Sequence, residues 1–568
     1  MTCLNQENSY THVTSILETA LYQSDPLSVY QLLCQNKKNN ILLESAEIDK
    51  KHLLKSLLLT DAALKIVCKK NLVTFSALSL NGQEVIPFVI SQLEQHATLT
   101  LSTDKKELSA LFPETPEALD EKSRLMATNS FQSLRLFNKL SEKNKHPFSV
   151  FLGGAFAFDM ISVSETLPEV KEGENTCPDF VYYLAQTLVI IDHEKQYTEI
   201  IGNAFSTSTT NNIEDNPHCI NEVSTRVNSI KQLLNNEISE QSVPQANTQS
   251  DNKVSKSENT VQVDITDHQF CEIVEQLKEN IRAGDIFQVV PSRTFSLPCI
   301  DATSAYKALK KSNPSPYMFY LNDSAFCIFG ASPESAIKYQ NKSIEGDRLV
   351  EIYPIAGTRP RGFDNQGNFS LDLDSRIELE LRQDKKESAE HIMLVDLARN
   401  DIARVSKPGT RHVADLLKVD RYSHVMHLVS RVCGTLKEEL DALHAYQACM
   451  NMGTLSGAPK IKATSLIREV ENKRRGSYGG AVGYITGLGE MDTCIVIRSA
   501  FVKDHKAYIQ AGAGVVYDSI PQAEADETRQ KAQAVINAIL TSNANLISTS
   551  HAQSNQATNN ATSQVKGA

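Results

Sequence analysis

At 568 residues the chain is too long for a single core and points to two or more domains. Its 41% hydrophobic and 22% charged residues are those of an ordinary soluble protein, and a formal charge of −11 argues against nucleic acid or an anionic membrane surface as the main partner. No apolar run approaches a membrane span, the start has no signal-peptide form, and the 11 cysteines never fall in a Cys-x-x-Cys spacing, so a cytoplasmic chain without disulfides or zinc is expected.

Along the chain, Asn40 to Ala46 reads as a short apolar strand interrupted by Glu44 and Ser45, an edge strand by default. Strand and helix signals alternate to about residue 202, with Gly153 and Gly154 marking a close approach of backbones. After a polar stretch, Ile220, Val223, Val227, Ile230 and Leu234 recur at helical spacing. Residues 237–259, rich in Ser, Gln, Asn and Lys, read as a solvated linker. The expected organisation is an N-terminal domain over 1–236, a linker over 237–260, a second domain over 261–540 and a disordered tail over 541–568, where large apolar residues nearly vanish. The second domain opens on a helix that Thr266 or Asp267 can cap, with Phe270, Ile273, Val274, Leu277 and Ile281 on one face and Gly284 at its end. A strand over Ile286–Arg293 follows, and a later one, Phe326 to Phe329, leads to a tight turn carrying Glu334.

The chemistry concentrates in this second part. Asp384 can cap a long helix in which Glu387 and Glu390 lie three apart, and therefore on one side, while Ile392, Val395, Leu397 and Ile402 supply its buried face. The same Glu-x-x-Glu spacing, Glu524 and Glu527, opens the last good helix. Acids in a first turn also complement the helix dipole, which accounts for either pair alone. Their recurrence suggests two helix starts facing one another across a hard divalent cation, and four glutamates split between direct and water-mediated contact suit Mg²⁺. Gly357, Thr358, Arg359 and Arg361 combine a flexible glycine, a hydroxyl and two guanidinium groups, the equipment for gripping a carboxylate or phosphate. His424 and His427 lie on a β-like run, where a lone histidine is usually a core residue. Thr454 sits in a glycine-hydroxyl turn that opens a helix but lacks the phosphate-loop spacing. Glycines around Tyr478 and over Gly512–Gly514 expose backbone N–H groups to an anion. Arg498 reads as a cation inside a hydrophobic strand, for which an anionic ligand is a natural partner. Acids for a cation, donors for carboxylates and one acid free for proton transfer describe a small dicarboxylate substrate whose leaving group must be protonated.

The segments Pro354-Ile-Ala-Gly-Thr-Arg-Pro-Arg-Gly362, Leu394-Val-Asp-Leu-Ala-Arg-Asn-Asp401, Gly453-Thr-Leu-Ser-Gly-Ala-Pro-Lys460 and Gln510-Ala-Gly-Ala-Gly514 are long and specific. Through them residues 266–535 closely resemble the chorismate-using enzymes, and nearly the whole chain resembles the large subunits of anthranilate synthase. The resemblance implies an α/β fold with two layered β-sheets flanked by helices. It also implies a Mg²⁺-dependent reaction of chorismate with ammonia, through 2-amino-2-deoxyisochorismate, to anthranilate and pyruvate. On that resemblance Glu390 and Glu527 match direct metal ligands, with Glu387 and Glu524 acting through water. Glu334 matches the general acid for the C4 hydroxyl, His427 the residue that orients this hydroxyl, and Thr454 a position that steers product outcome. Gly357, Thr358, Tyr478, Arg498, Gly512, Ala513 and Gly514 match substrate contacts. Gln288 stands where isochorismate and salicylate synthases carry a lysine base, which leaves ammonia as the plausible nucleophile. Ala356 replaces the lysine of many aminodeoxychorismate synthases, the nearest enzymatic alternative. A catalytically silent tryptophan-binding regulator is the alternative from another class. No Gly-x-Cys-x-Gly nucleophile is present, so ammonia comes from solution or from a separate glutamine amidotransferase subunit in a hetero-oligomer. Ser45, with Pro316, Tyr317 and Met318, matches a tryptophan feedback site that would link the two halves of the chain. The chain contains no tryptophan, as would suit a protein made during tryptophan shortage.

Overall fold

The computed structural model describes residues 10–34, 36–45, 55–116, 118–142, 146–208, 216–236, 260–343, 346–364, 366–422 and 425–565. The 237–259 stretch read as a linker, His424 and residues 566–568 lie outside this set.

Two long strands organise the chain. Phe180–Asp192 is buried at all 13 positions, as its nearly unbroken apolar run requires of a strand covered on both faces. It pairs antiparallel with Lys55–Lys69 along its length, and the register slips between Leu59 and Leu64. Bulges of this kind bend and twist a strand pair. On one side of the slip Lys55–Lys69 pairs with Asn40–Glu44, on the other with Leu72–Ala77. Its partner likewise pairs with Tyr197–Ser208 at one end and Phe151–Phe156 at the other. The two strands therefore belong to two layers at once.

The first layer continues from Asn40–Glu44 through Tyr317–Asn322, Cys327–Ser332, Ser499–Lys503 and Lys506–Gly512 to Ser292–Pro298. The second continues from Phe151–Phe156 through Ala481–Thr486, Met491–Ile495, Ser335–Ser343 and Gly346–Ile352 to Val425–Thr435. Between the layers lies an apolar cluster that includes Leu59, Phe151, Val181, Phe319, Ile328 and Phe501. Helices Pro26–Cys34, Pro217–Asn235 and Ala302–Ser312 contribute to a second core on the outer face of the first layer, and Lys385–Val405 and Ala442–Cys449 to a third on that of the second. Among the described residues the two layers are parts of one continuous 23-stranded sheet, and two β layers flanked by helices is the expected α/β architecture. At Gly154 a Cβ would stand 2.2 Å from the Val181 carbonyl oxygen, so only glycine admits the contact between these strands.

Three sequence expectations change. Asn40–Glu44 is an interior strand, paired on both sides, and it joins the first half of the chain to Tyr317–Asn322 of the second. Its acid gave a false edge signal, because Glu44 is buried under hydrogen bonds from Tyr306 Oη at 2.5 Å and Lys310 Nζ at 2.7 Å. The strand read over Ile286–Arg293 is split around Pro291: Gln288–Val289 pairs with Gly457–Ala458, whereas Ser292–Pro298 joins the first layer. The last helix runs over Pro521–Val565, past the point where disorder was expected. Asn543 there is buried, donating to the Pro298 carbonyl at 2.9 Å and accepting from Ile300 N–H at 3.2 Å, so a polar residue serves as a structural clamp.

Candidate active site

The chain crosses between the layers twice, side by side. Glu334 lies where Cys327–Ser332 passes into Ser335–Ser343, and Arg498 where Met491–Ile495 passes into Ser499–Lys503. The crossings are tied together: Ile495 N–H donates to the Glu334 carbonyl at 3.0 Å and Ala331 N–H to the Arg498 carbonyl at 3.1 Å. Arg498 therefore sits in a kink with φ +48°, not inside a strand as its neighbours suggested. The crossings put a carboxyl and a guanidinium at the seam of the two layers.

Glu334 is 7% exposed and its Oε1 accepts from Thr454 Oγ1 at 3.0 Å. Burial pushes its carboxyl up to about 8, against the opposing pull of the Thr454 bond and the Lys531 charge, so it carries its proton at neutral pH. His427 is buried, with Nδ1 2.9 Å from Thr358 Oγ1. Burial and then the charge of Arg498 push it down to about 4, which leaves a neutral imidazole. Arg498 donates to the Lys531 carbonyl at 3.0 Å and, among the described residues, forms no ion pair. A cation held this way retains its charge for an anionic guest.

The two Glu-x-x-Glu pairs open on the same recess. Asp384 caps Lys385–Val405 by accepting from Lys386 and Glu387 N–H, as the sequence predicts. The buried face is turned from the expected one: His391, Leu394, Val395, Ala398 and Ile402 are buried, Leu397 only in part, and Ile392 is 44% exposed. That rotation is what leaves Glu390 facing inward. Its carboxyl is pushed up to about 7, first by burial, then by the like charge of Glu387, with Glu527 of the other helix adding to it. Glu524 is raised by burial and by Glu527. Carboxylates from both helices thus feel one another, an arrangement a cation would relieve. Glu387 also accepts from Arg359 at 3.1 Å, and Glu527 pairs with Lys531 at 2.6 Å. Among the described residues no three acids form a ready-made cage.

Glycines bring the other walls close. A Cβ on Gly514 would lie 2.9 Å from Gln288 Nε2 and 3.4 Å from Glu390 Oε1, and one on Gly357, at φ +75°, 3.3 Å from Glu387 Oε2. Tyr478 is buried, and its Oη would lie 3.1 Å from a Cβ on Gly512. Ala513 is buried between the two glycines. The two guanidinium groups expected to grip an anion are otherwise engaged, Arg359 with Asp384 at 2.7 Å and Glu387, Arg361 with Asp374 at 2.8 Å. Sequence reasoning passed over Lys531, whose Nζ reaches Glu527 and the Gly512 carbonyl at 3.1 Å. The i,i+4 spacing of Glu527 and Lys531 was its signal. Away from this recess Met318 pairs across the sheet with Glu44, so Ser45 comes beside Pro316–Met318, and Tyr317 Oη donates to Asp492 at 3.2 Å.

Residues 93–537 match the family of chorismate binding enzymes, and the chain belongs to that family. Anthranilate synthase component 1 of Vibrio cholerae serotype O1 (strain ATCC 39315 / El Tor Inaba N16961) is 54% identical over 520 residues, which cover 91% of this chain and 95% of that protein. The component 1 protein of Escherichia coli (strain K12) is 50% identical over 521 residues, covering 92% and 95%. Anthranilate synthase component I from Streptococcus pneumoniae TIGR4, a crystal structure, superposes with a TM-score of 0.61 at 28% identity, covering 86% of this chain and 93% of that one. The menaquinone-specific isochorismate synthase of Escherichia coli shares the fold, with a TM-score of 0.58 at 16% identity and coverage of 94% and 95%. Among the described residues no helix is long and apolar enough to cross a membrane.

Proposed function

We propose that the recess between the two sheet crossings and the two acidic helix starts converts chorismate and ammonia to anthranilate and pyruvate, through 2-amino-2-deoxyisochorismate. The chain is an enzyme acting on chorismate, and its role is that of the anthranilate synthase large subunit of tryptophan biosynthesis. The observation that carries the assignment of roles is Glu334, a buried carboxyl that keeps its proton to about pH 8 with Thr454 bonded to it. Loss of the C4 hydroxyl as water needs such an acid. Glu334 delivers the proton, neutral His427 orients the departing oxygen with Thr358 bonded to its ring, and Thr454 holds the acid. Arg498 grips the enolpyruvyl carboxylate, and Tyr478, Gly357, Thr358 and the Gly512–Gly514 backbone frame the ring. Gln288 is no base, so the nucleophile is one that attacks without deprotonation, as ammonia does.

Glu390 and Glu527 would hold Mg²⁺ directly and Glu387 and Glu524 through water. When bound, the ion supplies positive charge for the ring carboxylate. Ammonia reaches the site from solution or from a glutamine amidotransferase partner in a hetero-oligomer in the cytoplasm. Tryptophan binds at Ser45 and Pro316–Met318, on the strand pairing that joins the 1–236 and 261–540 parts, and from there restrains the enzyme. Ala356 disfavours the para-directed alternative.

The test is to mix the protein with chorismate, Mg²⁺ and ammonium at mildly alkaline pH and follow anthranilate fluorescence. Wild type should give the ortho product, and Glu334→Gln should give none while still binding chorismate. A para product, or an active Glu334→Gln, would remove the assignment.

A further inference from the structure

Behind the recess lies a cation that borders Tyr478 and is hydrogen-bonded to none of the proposed substrate positions. Arg475 is 2% exposed and is held by Glu471 on both edges of its fork, Nε to Oε2 at 2.9 Å and Nη2 to Oε1 at 2.6 Å. Glu471 closes the helix Lys460–Glu471 and Arg475 folds back on it from four residues further on, a pairing that would satisfy itself if its purpose were charge balance. The remaining donors go elsewhere. Nη1 donates to the carbonyl of Leu455, the residue after Thr454, at 2.8 Å, and Nη2 donates to the Val290 carbonyl at 2.6 Å, two residues beyond Gln288. The guanidinium carbon stands 4.5 Å from the Phe158 ring centroid and 5.5 Å from that of Tyr478, within cation–π range of both.

Glu471 extends the network. Its Oε1 accepts from Ser292 N–H at 2.8 Å and Ser292 Oγ at 2.7 Å, and that hydroxyl accepts from Gln510 Nε2 at 2.8 Å. Ser292 lies opposite Gly512 in the sheet. The segments bearing Gln288, Thr454 and Tyr478 meet nowhere in sequence, yet each is tied to one buried guanidinium, and the Gly512 segment is reached from it through Glu471 and Ser292. Buried ion pairs add little net stability on their own account, because desolvation opposes the Coulomb gain. A buried guanidinium does fix geometry when its donors are shared among several separate segments, here Glu471, Leu455 and Val290. Only a planar fork reaches carboxylate, two carbonyls and a ring face together, which an ammonium on a flexible stem cannot do.

We propose that Arg475 is the positioning residue of this site: through the Leu455 carbonyl it holds the turn that carries Thr454 so that the hydroxyl meets the Glu334 carboxyl, and it fixes Tyr478, whose hydroxyl lies beside Gly512. The inference rests on Glu334 serving as the acid. A displacement of 1 Å at reacting groups costs roughly a hundredfold in rate, which sets the scale of the effect.

Arg475→Lys tests it in the full chain, with chorismate, Mg²⁺ and ammonium. Because a lone buried charge can prevent folding, Glu471→Gln with Arg475→Met, which removes both charges, is measured alongside. Per folded molecule, kcat should fall about 10- to 100-fold, with a much smaller change in KM for chorismate. The alkaline limb of the kcat profile should move to higher pH. Thr454 and Lys531 are the groups that oppose the burial of Glu334, and the variant loosens the first. Adding Thr454→Val to Arg475→Lys should then move the limb no further. A folded variant with unchanged kcat and an unmoved limb would overturn the proposal. So would failure of both variants to fold, since Arg475 would then be a structural post alone. A live Glu334→Gln in the wild-type background brings down the acid assignment instead, and so separates the two.

Discussion

Replacing Thr454 by valine keeps the shape and removes the hydroxyl that donates to Glu334 Oε1 at 3.0 Å. A hydrogen bond to an ionised group contributes about 1.5–3 kcal/mol, and one pKa unit corresponds to about 1.4 kcal/mol. The bond favours the carboxylate, so losing it raises the acid further, from about 8 by roughly 1–2 units. The sign follows directly: a raised carboxyl keeps its proton to higher pH, and the variant stays competent where the wild type has titrated. At pH 9 the wild-type acid is roughly one-tenth protonated and the variant roughly half to nine-tenths. The assay is ammonia-dependent anthranilate fluorescence from pH 6.5 to 9.5, plotted as the ratio of variant to wild type, which cancels the titration of ammonia itself. That ratio should be flat near pH 7, whatever its height, and climb about five- to tenfold by pH 9. A ratio that stays flat across the range refutes the claim that Thr454 governs the proton on Glu334.

Three further changes probe the other walls. Gly514→Ala places a methyl 2.9 Å from Gln288 Nε2 and 3.4 Å from Glu390 Oε1, so KM for chorismate should rise by about tenfold or more with little change in thermal midpoint. An unaltered KM would take Gly514 out of the recess. Glu387→Gln leaves Glu390 and Glu527 in place but removes one outer carboxylate and the partner of Arg359. Calorimetric titration should show Mg²⁺ binding about 10- to 100-fold weaker, and equal affinity would exclude Glu387 from the metal's surroundings. Ser45→Phe should relieve tryptophan inhibition in the ammonia assay while leaving most of the uninhibited rate; inhibition at the wild-type concentration would move the feedback site elsewhere.

The lessons about sequence are particular. Apolar periodicity located the Pro217–Asn235 and Asp267–Arg282 helices, and capping chemistry located the Asp384 helix start, because both are local signals. Local signals failed where a distant residue changed the meaning of a near one. Glu44 looked like the mark of an edge because Tyr306 and Lys310, which bury it, are more than 260 residues away. Arg359 and Arg361 looked like anion clamps because nothing nearby in sequence announced Asp384, Glu387 and Asp374 as their partners.

Lys473-Arg474-Arg475 is the plainest case. Three basic residues stand in a row before a glycine, and each is paired with different acids: Lys473 takes Asp264 and Glu174, Arg474 takes Asp179, and Arg475 takes Glu471. Asp179 and Asp264 each adjoin the end of a strand, and the register that places those strands is specified by which faces are buried, not by charge. Enclosure is the same kind of property. The turn at Glu334 has the composition of any exposed turn, and nothing in Ser332-Pro333-Glu334 says that two sheet crossings and the Thr454 loop will close over it. Its proton follows from that closure: the same carboxyl on an open turn would be ionised at neutral pH and could donate nothing to a leaving hydroxyl. The residues that bear the chemistry can therefore be named from short motifs, whereas their protonation states are written by strands and helices from the whole length of the chain.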